Sequence, residues 1–194
     1  MQSELARLQS QIEAAVAEAY PDEEKLLVHG EGHIGARVML IGEAPGEQET
    51  KLRRPFVGKA GKNLDEFLQL AQIDRGALYV SNTVKFRPTR VSNAGRIVNR
   101  PPTRGEIGLF LPWLRREIAL VSPQVVVTLG NVPLRALTDN RSIIGAVHGQ
   151  FLDGEGFVLY PMYHPASVIY NPSLREVYTQ DVLHLGRWLS GHLR

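Results

Sequence analysis

The segment "ARVMLIG" at residues 36–42 decides the fold. It is a continuous apolar run that ends in glycine, which is typical of a strand buried on both faces rather than on one. Three further runs have the same character: "ALYVSNTV" (77–84), "QVVVTLG" (124–130) and "GFVLYP" (156–161). Strands of this kind, separated by helices, predict a parallel sheet covered by helices on both sides.

The stretches between these strands have the apolar spacing and the capping residues of helices. They are residues 3–19, residues 62–72, a helix opened by the capping box Thr103 and Glu106, a short helix around 132–138, and a final helix opened by Ser173 and Glu176. We expect one domain over residues 1–194, with an N-terminal helical segment over 1–27.

The composition excludes several classes of protein. The 194 residues contain no cysteine, which rules out disulfides, thiolate metal sites and iron–sulfur clusters held by thiolates. The net charge is +2 and the isoelectric point is near 9.0, values that permit binding to nucleic acid. No stretch approaches the roughly 18 apolar residues of a membrane span, and the N-terminus lacks the pattern of a signal peptide. We therefore expect a cytoplasmic protein.

Polar residues follow each of the four predicted strands. They are Glu43, Asn82, Asn131 and His164. Ligands of open parallel sheets bind beyond the carboxyl ends of the strands, so these side chains are expected to converge on one crevice. Each residue alone is better explained as a cap, a turn or a solvated loop position. The four together favour a functional site.

Three other stretches were candidates for function. In "HGEGH" (29–33), two glycines disfavour the helix that paired histidine ligands would need, so a hairpin or turn is expected. "GKAGKN" (58–63) lacks the Ser or Thr and the preceding strand of a phosphate-binding loop. "PTRVSNAGRIVNRPP" (88–102) is predicted to be a polar, basic loop of functional length.

Taken in order, several segments resemble the uracil-DNA glycosylases, most of all the iron–sulfur family 4 type. The matching segments are "VHGEG", "ARVMLIGEAPGEQE", "RPFVGKAGKNLDEFL", "YVSNTVKFRP", "NRPPTRGEI", "VVVTLGN" and "YHPAS". The resemblance implies a three-layer α/β/α sandwich around a four-stranded parallel sheet. It also implies an enzyme of base excision repair that hydrolyses the N-glycosidic bond of uracil in DNA and acts as a monomer.

The chain departs from family 4 where that family binds its iron–sulfur cluster. Phe86 and Phe110 stand where two of the cluster cysteines are expected from the resemblance. We expect these rings to help fill the space of the cluster, and we expect no metal and no cofactor. A related branch attaches itself to DNA through a loop histidine, but Asn99 lies near that position, so no crosslinking is expected. Thr50 and Arg53 replace an acidic residue and a glycine that are usual in the family.

The resemblance also implies roles for the site residues. Phe56 would stack on uracil. Asn82 would recognise uracil by accepting a hydrogen bond from its N3–H group and donating one to its O4 atom. His164 would donate to O2 as negative charge develops on the base. Glu43, with the backbone beside it at Ala44, would position the attacking water. No metal ion takes part in these roles.

Contacts with uracil-containing DNA are expected from several residues around the site. The phosphate contacts are assigned to Lys85, Arg87, Arg90 and Arg96, with the backbone at Ser167. Val168 and Ile169 are candidates to enter the space that the base vacates, although ordinary packing is an equal interpretation. No contact with a membrane is expected.

Three alternatives remain open at this point. The chain could be a glycosylase for another deaminated base such as hypoxanthine. It could be a non-catalytic relative that senses uracil or DNA ends, or a hydrolase of free nucleosides or nucleotides. The presence of Glu43, Phe56, Asn82 and His164 together argues against a binding module without activity.

Overall fold

The computed structural model describes residues 2–154 and 156–192 of the chain. The strands in this part are β1 Glu31–Gly32, β2 Val38–Gly42, β3 Tyr79–Asn82, β4 Thr89–Val91, β5 Ile97–Asn99, β6 Val125–Leu129, β7 Leu152–Asp153 and β8 Val158–Met162. The α-helices are α1 Gln2–Ala19, α2 Glu47–Leu52, α3 Lys59–Leu70, α4 Arg104–Val121, α5 Asn131–Leu137, α6 Ile144–Val147, α7 Ser167–Tyr170 and α8 Leu174–Gly191.

The main sheet has the strand order β1-β3-β2-β6-β8-β7. Its four inner strands, β3, β2, β6 and β8, are parallel, as predicted, and the two edge strands are antiparallel. Each edge strand has only two residues, which is too short for a periodic pattern in the sequence. The predicted α/β/α fold around four parallel strands is confirmed, and the edge strands extend it.

Helices cover the sheet on both faces because successive side chains of the inner strands point to opposite sides. On one face, Val38 and Leu40 of β2 pack with α3 and α8. On the other face, Met39 and Ile41 pack with α4, α5 and α6. Every residue of β2 is buried, which explains why its sequence is apolar without alternation.

A third apolar cluster lies between α1, α4 and the segment after β3. Leu8, Ile12 and Val16 of α1 pack there against Phe86 and Phe110. The two phenylalanine rings meet edge to face, with ring centroids 5.6 Å apart. This cluster is apolar and contains no thiolate, so its residues do not fit an iron–sulfur cluster.

A buried ion pair joins β3 to α4. The Lys85 ammonium group lies 2.6 Å from a carboxylate oxygen of Glu117, and the Lys85 side chain is fully buried. Tyr79 and Ser81 each donate a hydroxyl hydrogen bond of 3.0 Å to the same carboxylate. Burial, together with the nearby Glu117, raises the pKa of Tyr79, so its hydroxyl remains a donor. The prediction that Lys85 contacts DNA is wrong, because its charge is enclosed and paired inside the protein.

The segment 88–102 is a β-hairpin rather than the predicted loop. β4 and β5 pair in antiparallel register and form a separate two-stranded sheet, which we call the ribbon (residues 89–99). Gly95, at a φ of 71°, lies in the turn, where its amide donates to the Ser92 carbonyl oxygen. The strands were missed because each has only three residues and most of them are exposed. Among the described helices, none is long and apolar enough to cross a membrane.

We expect Lys85→Met to destabilise the protein by about 3–5 kcal/mol, because it leaves the Glu117 carboxylate buried without its cation. Chemical denaturation monitored by circular dichroism measures this loss. The matched control is Arg90→Met, which changes an exposed cation of the ribbon and should leave the free energy of unfolding nearly unchanged. Equal stability of the two variants would contradict the structural role of the ion pair.

Candidate active site

The candidate site lies at the carboxyl ends of the parallel strands. Asn82 is the last residue of β3 and pairs in register with Gly42, the last residue of β2. Glu43 follows Gly42 directly, and His164 follows the end of β8 by two residues. These are the positions at which the sequence predicted a crevice.

Gly42 lies at the centre of this arrangement. A Cβ atom on Gly42 would lie 2.4 Å from Oδ1 of Asn82 and 2.5 Å from Cζ of Phe56. The Phe56 and His164 ring centroids are 6.0 Å apart, with an angle of 32° between the ring planes. A side chain at position 42 would therefore clash with both the Asn82 amide and the Phe56 ring, and that ring in turn lies beside the His164 imidazole.

Phe56 is held in a conformation that is uncommon for a residue with a side chain. Its φ is 53°, in the left-handed region. Arg75 stabilises this loop by donating hydrogen bonds of 3.1 and 3.0 Å to the carbonyl oxygens of Pro55 and Phe56. A Cβ on Gly61 would lie 1.9 Å from the Phe56 carbonyl oxygen, so α3 also packs directly against this loop. The backbone that carries the ring is thus held by contacts on two sides.

Glu49 connects this loop to the segment after β2. Its carboxylate accepts hydrogen bonds from the backbone amides of Val57, Gly58 and Gly46, at 3.0, 2.7 and 3.1 Å. One side chain therefore links the loop that carries Phe56 to the loop that carries Glu43. Glu49 was not among the predicted site residues, although its place three residues after Gly46 is the spacing of a helix capping box.

Asn82 presents an enclosed amide without a partner in the protein. The residue is 3% exposed, and no described residue hydrogen-bonds to its side-chain amide. Its backbone carbonyl accepts a hydrogen bond of 2.9 Å from the Lys85 ammonium group. This hydrogen bond holds the backbone of Asn82, while the side-chain amide remains available to a ligand.

His164 is a neutral hydrogen-bond donor. Its Nδ1 accepts a hydrogen bond of 3.2 Å from the backbone amide of Ala166, so the neutral ring carries its proton on Nε2. Burial lowers the pKa of His164 to about 4, although Glu49 acts in the opposite direction. Gly130, at a φ of 96°, allows the turn after β6 to pack against the His164 side chain.

Glu43 is partly buried beside these groups. Burial raises the pKa of its carboxyl group, and no described residue hydrogen-bonds to its side chain. Its carbonyl oxygen accepts the backbone amide of Val84 at 3.0 Å, which ties it to the segment after β3. Ala44 is partly buried against the third apolar cluster. Asn131 was expected in this site, but its Oδ1 accepts the backbone amide of Ile144 at 2.9 Å and caps α6 instead.

The remaining predicted cations lie on the ribbon or directly before it. Arg87 donates from Nε to Oδ1 of Asn99 at 2.7 Å and lies 3.6 Å from the Glu47 carboxylate. Arg90 and Arg96 are exposed on the ribbon. No described residue makes a hydrogen bond or ion pair with either guanidinium group.

The residues after His164 divide between core and surface. Ser167 donates its backbone amide to the His164 carbonyl oxygen at 2.8 Å. Val168 is buried in the core with α8, so the interpretation as a wedge is wrong for this residue. Ile169 is 44% exposed and the neighbouring Tyr170 is 87% exposed. Tyr170 was missed, although an aromatic residue directly after two candidate wedge residues was a usable signal.

Comparison with known proteins agrees with this geometry. A family model described as the uracil DNA glycosylase superfamily matches residues 29–184. The chain is 37% identical over 164 residues to a type-4 uracil-DNA glycosylase from Sulfurisphaera tokodaii, covering 79% of this chain and 70% of that protein. It is 36% identical over 166 residues to the type-4 uracil-DNA glycosylase of Saccharolobus solfataricus, covering 81% of this chain and 73% of the relative. It is also 35% identical over 166 residues to that of Pyrobaculum aerophilum, covering 81% of each. The chain therefore belongs to the uracil-DNA glycosylase superfamily.

Proposed function

We propose that the chain, a DNA glycosylase by family, flips uracil out of DNA and hydrolyses its N-glycosidic bond, leaving an abasic site. The observation that carries this proposal is the enclosed, unpartnered amide of Asn82 beside the Phe56 ring and the neutral His164. The relatives named type-4 uracil-DNA glycosylases support the same substrate. We further propose that residues 1–194 act as one domain and as a monomer.

Recognition of uracil rests on the two ends of the Asn82 amide. Its oxygen accepts from N3–H of uracil, and its nitrogen donates to O4. Cytosine presents a donor and an acceptor in the reverse positions, so both ends of the amide would be mismatched. Each unpaired buried polar group costs about 1–3 kcal/mol, and two mismatches therefore discriminate strongly between the bases.

Phe56 binds the face of the flipped base. Extruding a nucleotide from the duplex costs a few kcal/mol, and stacking on a ring in the pocket offsets part of that cost. Because the Phe56 backbone is fixed by Arg75 and Gly61, the ring need not be ordered when the base arrives.

Hydrolysis breaks the bond between C1′ of the sugar and N1 of uracil. The bonding electrons leave with the base, which becomes an anion with charge on N1 and O2. The Nε2–H group of His164 donates to O2 and stabilises this charge without transferring a proton. Glu43 stabilises the developing positive charge on the sugar and orients the water. The water oxygen adds to C1′, and its proton passes to Glu43 or to solvent.

DNA is held around the pocket by the exposed groups at its mouth. Arg87, Arg90 and Arg96 bind phosphates, with the backbone amides around Ser167. Ile169, joined by Tyr170, fills the space that the base leaves. Lys85 and Val168 take no part, because both are buried.

The proposed activity is tested with a labelled duplex oligonucleotide that carries one uracil. Incubation with the protein followed by alkali should cut the strand at the abasic site. Cleavage with hypoxanthine in place of uracil, and none with uracil, would reassign the enzyme to another base. Binding without cleavage of either substrate would make the chain a non-catalytic sensor.

Asn82→Ala should lower the single-turnover rate of uracil excision by a hundredfold or more, because both polar edges of the base lose their partner, at about 1–3 kcal/mol each. The melting temperature of the variant shows whether the fold is intact. A rate equal to that of the wild type, with intact folding, would contradict the recognition role.

His164→Ala should lower the rate of excision by about 10²–10³-fold, the usual effect of removing one donor to a developing anion. His33→Ala is the matched control, since His33 is exposed near the opposite ends of the strands. Both variants are compared in single-turnover assays at pH 7. If His33→Ala slows excision as much as His164→Ala does, the loss is not specific to the site.

The rate of excision should fall at low pH as Glu43 becomes protonated, because only the ionised carboxylate stabilises the sugar cation. Burial raises the pKa of Glu43, so the midpoint should lie above 4.5, the ordinary value for a glutamic acid. His164 stays neutral down to about pH 4. Glu43→Gln should abolish this dependence and Glu24→Gln, at an exposed position, should retain it. A Glu43→Gln variant with an unchanged pH profile would exclude the carboxylate as its source.

A further inference from the structure

The ribbon exposes a pair of large apolar side chains. Val91 is 69% exposed and Ile97 is 65% exposed. The two residues are direct partners across the antiparallel strands, so their side chains lie on the same face of the ribbon. Single exposed apolar residues are common on protein surfaces, but these two form a contiguous pair on a two-stranded hairpin, which makes them a candidate for an interaction surface.

This apolar face is turned towards the active site. Side chains at alternate positions share a face, so Asn99 lies on the same face as Ile97. The Asn99 side-chain nitrogen lies 3.7 Å from where a Cβ on Gly46 would stand, in the loop after β2. Asn99 also accepts a hydrogen bond from Arg87 at the base of the ribbon. Val91 and Ile97 lie two residues further out, about 7 Å beyond Asn99.

The ribbon and α7 stand on opposite sides of the pocket. The ribbon follows β3, whereas α7 follows β8, and β2 and β6 lie between these two strands. β3 and β8 are therefore three strand spacings apart, or about 14 Å. Ile169 and Tyr170 are exposed on the α7 side, and Val91 and Ile97 on the ribbon side. An apolar element therefore borders the pocket at each side.

The charges on the ribbon favour DNA as its partner. Arg90 and Arg96 directly precede Val91 and Ile97, so their side chains leave the ribbon on its other face, and both are exposed. In the part of the chain that the structure describes, no carboxylate pairs with either side chain. A ribbon with an apolar pair on one face and two unpaired guanidinium groups on the other matches DNA, in which phosphates lie on either side of the bases and sugars. Asn99 also lies beside the loop after β2, which joins the ribbon to the pocket and favours the same partner.

We propose that Val91 and Ile97 pack against the DNA next to the flipped nucleotide, on the flank opposite Ile169 and Tyr170. The ribbon holds open the neighbouring base step while Arg90 and Arg96 bind phosphates. This inference rests on the proposed function, because it takes the flipped nucleotide to occupy the pocket between the two elements.

The test compares the double variant Val91→Ser/Ile97→Ser with Leu70→Ser. Leu70 is also an exposed apolar residue, but it ends α3 and lies away from the mouth of the site. Both variants should keep the wild-type melting temperature, since all three side chains are exposed. Binding is measured on a duplex with a central abasic-site analogue. The double variant should bind about tenfold more weakly, because its two serines lose the apolar contact. Leu70→Ser should bind like the wild type.

The flank is identified with duplexes that carry fluorescent 2-aminopurine on one side or the other of the analogue. Unstacking of this base raises its fluorescence. The double variant should lose the signal on one flank, and Ile169→Ser/Tyr170→Ser should lose it on the other. Loss on the same flank in both variants, or wild-type binding and signal in the ribbon variant, would overturn the inference.

Two further outcomes are distinguishable. If sedimentation shows that the wild type self-associates and that the double variant does not, while DNA binding is unchanged, the ribbon binds a second copy of the chain and the inference is overturned. If the wild type excises no uracil, the proposed function fails on its own assay. The binding and fluorescence measurements still test the ribbon, because they use an analogue that requires no catalysis.

Discussion

The ion pair between Lys85 and Glu117 is the interaction on which the site depends. It joins the end of β3 to α4, and the same ammonium group holds the backbone carbonyl of Asn82. A buried ion pair contributes little net stability when compared with an apolar pair, but losing one partner is costly. Its effect here is positional. It fixes the strand end that carries the Asn82 amide.

The sequence was sufficient for the four parallel strands, since strands buried on both faces have an unmistakable apolar pattern. It was also sufficient to place Glu43, Asn82 and His164 at one edge of the sheet. It failed for Lys85 and Val168, because a residue type does not reveal whether a side chain leaves a strand end towards solvent or towards the core. It failed for the ribbon, because three-residue strands pair through their backbones. No pattern of side chains records that pairing.

The loops that form the pocket are ordered by hydrogen bonds rather than by regular structure. The Glu49 carboxylate accepts hydrogen bonds from three backbone amides, and Arg75 donates hydrogen bonds to the carbonyl oxygens of Pro55 and Phe56. The unusual backbone conformation of Phe56 is tolerated because these contacts over-determine it. In the proposed function, the pocket is thereby arranged before the base enters, which is the condition under which fixed donors stabilise a developing anion most effectively.

The packing of Phe86 and Phe110 against α1 has a consequence for how the protein matures. A region that is built around a metal site depends on the metal for its folding, because the ligands are brought together only when the metal is bound. The third apolar cluster of this chain is formed by apolar side chains that pack on one another. Its assembly needs no metallation step, and an oxidant finds no thiolate there to attack. The folding of this region therefore does not depend on a supply of iron or sulfide.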